Sequence, residues 1–285
     1  MTIDRTDYVL TAVNGELING TRHVSESGEG SHGVVLLVPA MATPARHYFD
    51  LADWFVERGY TVHTFDYQGY GASARTTLDK VDADTLTWAK DAAVMVDHVA
   101  EAEPDLPLHW VGHSLGGQLL PFTDHSKLTQ ATIMCAGTGY WKLSAGKNRV
   151  LAPALWFAIA PLAVRRCGYF PGRKLKILDD LPAPVMRQWA SWRKKPDYMV
   201  GHYPEFADRF AAVEVPLTSI SFTDDETMSA RATRHLESWY SGASLQTRRF
   251  EPTELGTSHI THMRPIKSRN SQIWQTIFSH MDTAA

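Results

Sequence analysis

The ten residues Leu108-His109-Trp110-Val111-Gly112-His113-Ser114-Leu115-Gly116-Gly117 constrain this chain more than any other stretch. An apolar strand runs into a G-x-S-x-G turn, and a helix begins on its far side. Glycines on both flanks let strand and helix approach closely, while the central residue is forced into strained backbone geometry. Such a turn holds the Ser114 hydroxyl at the tip of a sheet, with the following backbone N–H groups facing the same space.

The rest of the chain reads as a sheet built to carry that turn. Residues 7 to 25 predict two short strands joined by Asn14-Gly15, a strong hairpin signal. A polar, glycine-rich loop follows from Ser25 to Gly33, and then Val34-Val35-Leu36-Leu37-Val38 forms a continuous apolar strand, the pattern of a sheet covered on both faces. Helices are predicted from about Pro44 to Arg58, from Asp84 to Ala102, from Leu115, from Arg231 to Tyr240 and from Ser271 to Met281. Further strands are predicted at Thr61–Phe65, Ala131–Ala136, Pro216–Phe222 and Leu245–Phe250. Strands alternating with helices imply an α/β fold, a mostly parallel sheet with helices on both faces.

One region breaks the alternation. Tyr140 to Glu205 holds four of the nine tryptophans and seven of the fifteen prolines, with twelve Lys/Arg against four Asp/Glu. It is about +8 in a chain whose net charge is -3, so the remainder is strongly acidic. We expect a helical cap insertion over 140–205, dividing a core made of residues 1–139 and 206–285. Within it, residues 149 to 164 form an apolar stretch with basic flanks at Lys147, Arg149 and Arg165-Arg166. A lid whose apolar face lines an acyl pocket, with Trp156 and Phe157 as its wall, is the expectation, and a preference for short to medium apolar acyl chains follows from it. The bland reading is a buried core helix; a third is a lid drawn to an anionic interface.

The small net charge argues against nucleic acid as the main partner. Two cysteines, Cys135 and Cys167, are too few for a disulfide framework. Met1 to Leu10 carries Asp4, Arg5 and Asp7 and has no apolar signal core, and no run reaches the roughly 18 uninterrupted apolar residues of a membrane span. A cytoplasmic setting, with no integral membrane segment, is the expectation.

A serine hydroxyl is a poor nucleophile until a base takes its proton; histidine is the usual base, and a carboxylate fixes its tautomer. The chain supplies both in the order Ser, Asp, His. Ile220-Ser221-Phe222-Thr223-Asp224-Asp225-Glu226 places acids directly after a strand, and Gly256-Thr257-Ser258-His259-Ile260-Thr261-His262 places histidines in a loop after the last strand. Loops at the C-terminal ends of parallel strands are where ligands bind in such sheets.

With these residues in view, nearly the whole chain resembles a serine-dependent α/β hydrolase. Four features match in order: the strand turn Pro39-Ala40-Met41, the D-x-x-G-x-G-x-S-like loop Asp66 to Ser73, the elbow at Ser114, and the acid and histidine loops. The sequence is similar to the monoacylglycerol-lipase and serine-aminopeptidase-like branch, and to a bacterial subgroup in which a segment like Gly168-Tyr169-Phe170-Pro171-Gly172-Arg173 with Trp189-Ala190-Ser191-Trp192 recurs. The resemblance implies the α/β-hydrolase fold with about eight strands, and hydrolysis of a small-molecule carboxylic ester through an acyl-enzyme without metal or cofactor. It further implies the N–H groups of Met41 and Leu115 as an oxyanion hole; the family turn is usually His-Gly where Pro39-Ala40 stands here, a change a backbone donor tolerates. Asp225 is favoured over Asp224 as the acid, since its four-residue spacing to Ser229 matches the family. His259 is favoured over His262 as the base, and both alternatives stay open. His113, beside the nucleophile, is expected among the substrate-binding residues with Trp156 and Phe157, as a residue that packs rather than acts. Rival readings are acyl transfer or peptidase chemistry on the same residues, and a non-catalytic ligand-binding homologue.

Overall fold

The computed structural model describes residues 2–26 and 32–281, so the glycine-rich loop expected between Ser25 and Gly33 lies largely outside the described residues. β1 (Ile3–Thr11) turns through Asn14-Gly15 onto β2 (Leu17–Ser25), with Gly15 at φ +88° as a tight reversal requires. There follow β3 (Gly33–Val38), β4 (Tyr60–Asp66), β5 (Leu108–His113), β6 (Gln130–Met134), the two-residue strands β7 (Tyr169–Phe170) and β8 (Leu181–Pro182), then β9 (Leu217–Phe222) and β10 (Leu245–Phe250). β7 and β8 pair only with each other. The other eight form one sheet in the order β1-β2-β4-β3-β5-β6-β9-β10, antiparallel over the first two pairings and parallel over the rest. This is the α/β-hydrolase fold.

β3 shows why the apolar run was needed. All six of its residues are buried, and successive side chains point to opposite faces. Val34, Leu36 and Val38 join the core under the helix Thr85–Ala102, with Trp88, Met95 and Val99. Val35 and Leu37 join the opposite core, with Leu51 and Phe55 of the helix Phe49–Val56 and with Trp274, Ile277 and Phe278. Asp84 caps the first of these helices, accepting from the Thr87 N–H at 2.8 Å. The helix expected over Pro44–Arg58 begins as a 3₁₀ turn, Ala45–Tyr48, and the last expected helix is a 3₁₀ stretch, Ser268–Ile273, ending in the single turn Trp274–Ile277.

β3 is also where the chain changes direction. It pairs with β4 on one side and β5 on the other, and such switch points open a crevice beyond the strand ends. Val38 is level with Gly112, so the residues after β3 and those after β5 emerge side by side.

Segment 140–205 falls between β6 and β9. A helix runs Gly146–Ala154, continues as a π-helical turn at Leu155–Ile159 and resumes over Ala160–Cys167; the π turn follows Pro153, which cannot donate to the ladder. Its buried stripe is Ala152, Trp156, Ala160 and Val164, one residue every four. By length and composition the helical stretch Asn148–Cys167 could cross a membrane. A second helix, Ala183–Arg193, packs beside it. Gln188 of that helix donates to the Asp84 carboxylate at 2.7 Å and accepts the Leu86 N–H at 3.1 Å. On the other flank Asn148 donates to the Glu226 carbonyl at 2.9 Å, and Ser229 donates to the Leu143 carbonyl at 2.6 Å. Both anchors lie beyond the C-terminal ends of parallel strands, so the segment stands over that edge of the sheet.

Candidate active site

Ser114 sits at φ +52°, the left-handed region that a serine enters only when its surroundings impose it. They do so from both sides. Its N–H donates to the Met134 carbonyl at 2.8 Å, tying the turn to β6. A side chain at Gly116 would bring its Cβ within 2.2 Å of the Val38 carbonyl oxygen, and one at Gly112 within 2.5 Å of the Gly116 carbonyl. The two glycines therefore let the elbow, with its Leu115 amide, press against the end of β3, which the Met41 amide follows by three residues. Neither N–H takes part in the backbone hydrogen bonds of the surrounding turns.

The histidine beside Ser114 is His262. The Ser114 hydroxyl and His262 Nε2 are 3.0 Å apart, and His262 Nδ1 is 2.8 Å from Asp225 Oδ2. Nδ1 donates to the carboxylate, which leaves Nε2 as the acceptor for the serine proton. His259, favoured from sequence, is exposed, and among the described residues it is His262 and not His259 that bonds Ser114 and Asp225. The placement of His262 has a local cause. Asp224 accepts the backbone N–H groups of Ile260 at 2.8 Å and Thr261 at 3.1 Å, and Thr261 turns at φ +56°. This grip swings the loop over Asp225 only after His259 has passed. Asp224 thus tethers the histidine loop, while Asp225 meets the imidazole.

Asp225 is held equally firmly. Its second oxygen, Oδ1, accepts the N–H groups of Thr227 and Met228 at 2.7 and 2.8 Å. Burial alone would raise its pKa, but the His262 charge and hydrogen bond and those two amides bring it below the ordinary carboxylate value. Burial likewise works against the His262 cation. The Asp225 charge and hydrogen bond, with Glu226 behind them, outweigh it and hold the imidazole above its usual pKa.

His113 does not face the crevice, contrary to its expected place among substrate-binding residues. It is buried behind the site, with Nδ1 2.8 Å from the Tyr48 hydroxyl and Nε2 3.0 Å from the His262 carbonyl. A carbonyl only accepts, so Nε2 carries the proton and Nδ1 accepts from Tyr48. The Tyr48 oxygen in turn accepts the Ala40 N–H at 2.8 Å. Burial, reinforced by the His262 charge, pushes His113 down to about 3, so the ring is neutral. One chain of hydrogen bonds therefore links the turn after β3, the elbow and the histidine loop. Nothing in the sequence marked Tyr48. Its substitution by Phe would strip partners from two buried groups, each costing about 1–3 kcal/mol. Tyr48→Phe is expected to lower Tm by roughly 3–8 °C in scanning calorimetry and to lower turnover by no more than about tenfold; an unchanged Tm would show that the chain carries no strain-bearing load.

Trp156 is buried, its indole edge-on to Trp189 at 4.8 Å between centroids. Phe157 is 55% exposed and lies 5.0 Å from the Lys194 ammonium, so it is not part of an inner wall. The turn that points Trp156 inward points its neighbour Phe157 to solvent. Cys135 Sγ lies with Asp225 and His262 so that three potential metal ligands fall within 4.8 Å of one another. Burial keeps the Cys135 thiol far from its thiolate form, and the thiol, not the thiolate, suits the flank of a carboxylate.

The sequence model of the family described as serine aminopeptidase, S33, matches residues 29–213, which span β3, the elbow and segment 140–205 but stop short of Asp225 and His262. No curated protein matches the chain. Similar solved structures include a carboxyl esterase from Bacillus coagulans in complex with glycerol (16% identity, covering 88% of this chain and 91% of that one, TM-score 0.60). An esterase from Pyrococcus furiosus is 13% identical over 98% of this chain and 90% of that one, with a TM-score of 0.64. A thioesterase domain from the curacin biosynthetic pathway is 14% identical over 97% and 99%, with a TM-score of 0.58. At these identities the likeness is one of fold.

Proposed function

Since the chain belongs to the serine aminopeptidase S33 family of α/β hydrolases, and is thereby a serine hydrolase, we propose that it cleaves carboxylic esters through an acyl-enzyme on Ser114. The observation that carries this reading is the unbroken path from Asp225 through His262 to the Ser114 hydroxyl. Ser114 Oγ attacks the ester carbonyl carbon while its proton passes to His262 Nε2. The carbonyl oxygen becomes an oxyanion and takes hydrogen bonds from the Met41 and Leu115 N–H groups; one such donor is worth about 10²–10³ in rate. The C–O bond to the alcohol breaks, and His262 returns the proton to the departing oxygen. Water, losing a proton to His262, then attacks the acyl carbon and releases the acid and free Ser114. Asp225 keeps Nε2 unprotonated in the resting state and stabilises the imidazolium that forms twice per cycle. Segment 140–205 serves as the cap, and short to medium acyl chains lie against the indoles of Trp156 and Trp189. The two free cysteines fit a reducing cytoplasm.

The test is hydrolysis of p-nitrophenyl esters of increasing chain length, followed against pH. A base works only when unprotonated, and His262 is held above its ordinary value of 6.5. Turnover should therefore rise with pH, with the midpoint of the ascending limb above 6.5. Asp225→Asn removes the carboxylate that does most to raise His262, leaving Glu226, so the midpoint should move down while the rate collapses. An ascending limb that stays where it is in Asp225→Asn would assign the titration to another group.

A further inference from the structure

Arg193, the last residue of the helix Ala183–Arg193, is 4% exposed and has no carboxylate partner among the described residues. Its Nη2 donates to Ser144 Oγ at 3.1 Å, and its Nε is buried without any partner. The guanidinium carbon lies 4.4 Å from the ring centroid of Trp156 and 5.3 Å from that of Trp189. Cation–π contact and the C-terminal end of a helix each favour a cation, yet neither satisfies the planar N–H fork. A buried charge lacking a counterion is a costly feature to retain. Burial brings the guanidinium down to about 10, still far above neutral pH, so the group remains charged.

Its surroundings tie it to the reaction crevice. Ser144, which holds it, belongs to the same seam that Asn148 and Ser229 stitch to the Asp225 loop. Tyr198 shares its surroundings, and the Tyr198 hydroxyl, also buried without a well-formed hydrogen bond, lies against Gln118 of the single helical turn Gly116–Leu119 that follows Ser114. The Arg193 charge is among those felt by the His262 imidazole. Ser144 also lines a cavity of about 210 Å³ together with Lys142, Arg149, Ser229 and Arg231, which supplies three cations and no acid. The basic excess of residues 140–205 over an acidic core has the same sign.

We propose that Arg193 is a specificity-determining anion receptor, and that the part of the substrate lying under the cap carries a carboxylate or a phosphate-like oxyanion remote from the scissile carbonyl. The guanidinium fork takes that group in a paired, charge-assisted contact, while the Trp156 and Trp189 indoles flank the methylenes that lead to it. The proposal rests on the ester-hydrolase reading of Ser114 and adds to it the chemical class of the substrate.

The test compares mono-p-nitrophenyl esters of adipic, pimelic and suberic acids with their methyl-capped counterparts, at low ionic strength, on the wild-type protein. These chains disfavour intramolecular attack on the ester. A second arm uses ω-phosphono acyl esters, and a third uses 4-carboxyphenyl butyrate with its methyl ester, so that the nature of the anion and its side of the scissile bond are read separately. A charged hydrogen bond to a buried partner is worth about ten- to a hundredfold in kcat/KM, and the wild type should favour the anionic member of at least one pair by that factor. Arg193→Gln should erase the preference while changing the neutral esters by less than about threefold, and Arg193→Lys, which keeps the charge without the fork, should retain part of it. Equal rates on anionic and neutral members of every pair in the wild type would overturn the proposal. So would an Arg193→Gln or Arg193→Lys protein that loses activity on both members alike, which would make the arginine purely structural. If Arg193→Gln does not fold, the wild-type ratios and Arg193→Lys decide. Covalent labelling of Ser114 by a fluorophosphonate separates the two levels: labelling with no anionic preference sinks only this inference, whereas absence of labelling and of all ester turnover sinks the hydrolase reading with it.

Discussion

Ser114→Ala will abolish fluorophosphonate labelling and reduce ester hydrolysis by about 10⁵–10⁶-fold, leaving the residual rate that oxyanion donors and binding alone provide. The substitution removes the single oxygen that bonds His262 Nε2, at 3.0 Å. The fold should survive it. The strain at φ +52° belongs to the backbone, and alanine tolerates that conformation about as poorly as serine does. The variant should therefore show a Tm within a few degrees of wild type, since it removes one oxygen and adds no bulk. Turnover close to wild type with that Tm would remove the elbow from the chemistry and the acyl-enzyme with it.

The second large effect discriminates between two histidines three residues apart. His262→Ala is expected to cost about 10⁴–10⁶ in kcat, because it deletes both the acceptor for the serine proton and the partner of Asp225. It leaves the Asp225 carboxylate buried beside two amides and a vacated site, so a modest loss of stability should accompany it. His259→Ala should change kcat by less than about twofold, as expected for an exposed side chain that bonds neither Ser114 nor Asp225. Steady-state kinetics on p-nitrophenyl butyrate with both variants side by side decides the matter. Loss of activity in His259→Ala with His262→Ala intact would mean that the loop adopts another register in the working protein.

The contrast between these histidines marks where the sequence stops being sufficient. The elbow was legible because its requirement is local. A glycine two residues either side of Ser114 is needed wherever strand and helix cross so closely, and the contacts to the Val38 and Gly116 carbonyls show the cost of any side chain there. The parallel sheet was legible for a related reason. A strand covered on both faces can be apolar at successive positions, as β3 is from Val34 to Val38, and a sheet flanked by helices gives that pattern. The order Ser, Asp, His and the loops bearing the last two were likewise readable, since each loop directly follows a strand.

What decided between neighbours within those loops was tertiary. Spacing to Ser229 favoured Asp225, and the structure brings it to the imidazole, but the reading that took His262 for a supporting or surface histidine put His259 ahead. The difference depends on Asp224 binding the Ile260 and Thr261 amides across 36 and 37 residues of intervening chain, a contact with no local signature. Tyr48 and His113 became a link between two loops only once β3 and β5 lay in register. Trp156 and Phe157 looked equivalent as letters, and the helix turned one inward and the other to solvent. Arg193 was one of twelve basic residues in a segment read as basic overall, and its charge gained meaning only from being buried without an acid. Periodicity and turn chemistry are properties of adjacent residues, so they can be read along the chain. Which of two adjacent side chains reaches a partner, and whether a charge meets its counterion, depends on surfaces that the chain assembles from residues far apart in sequence.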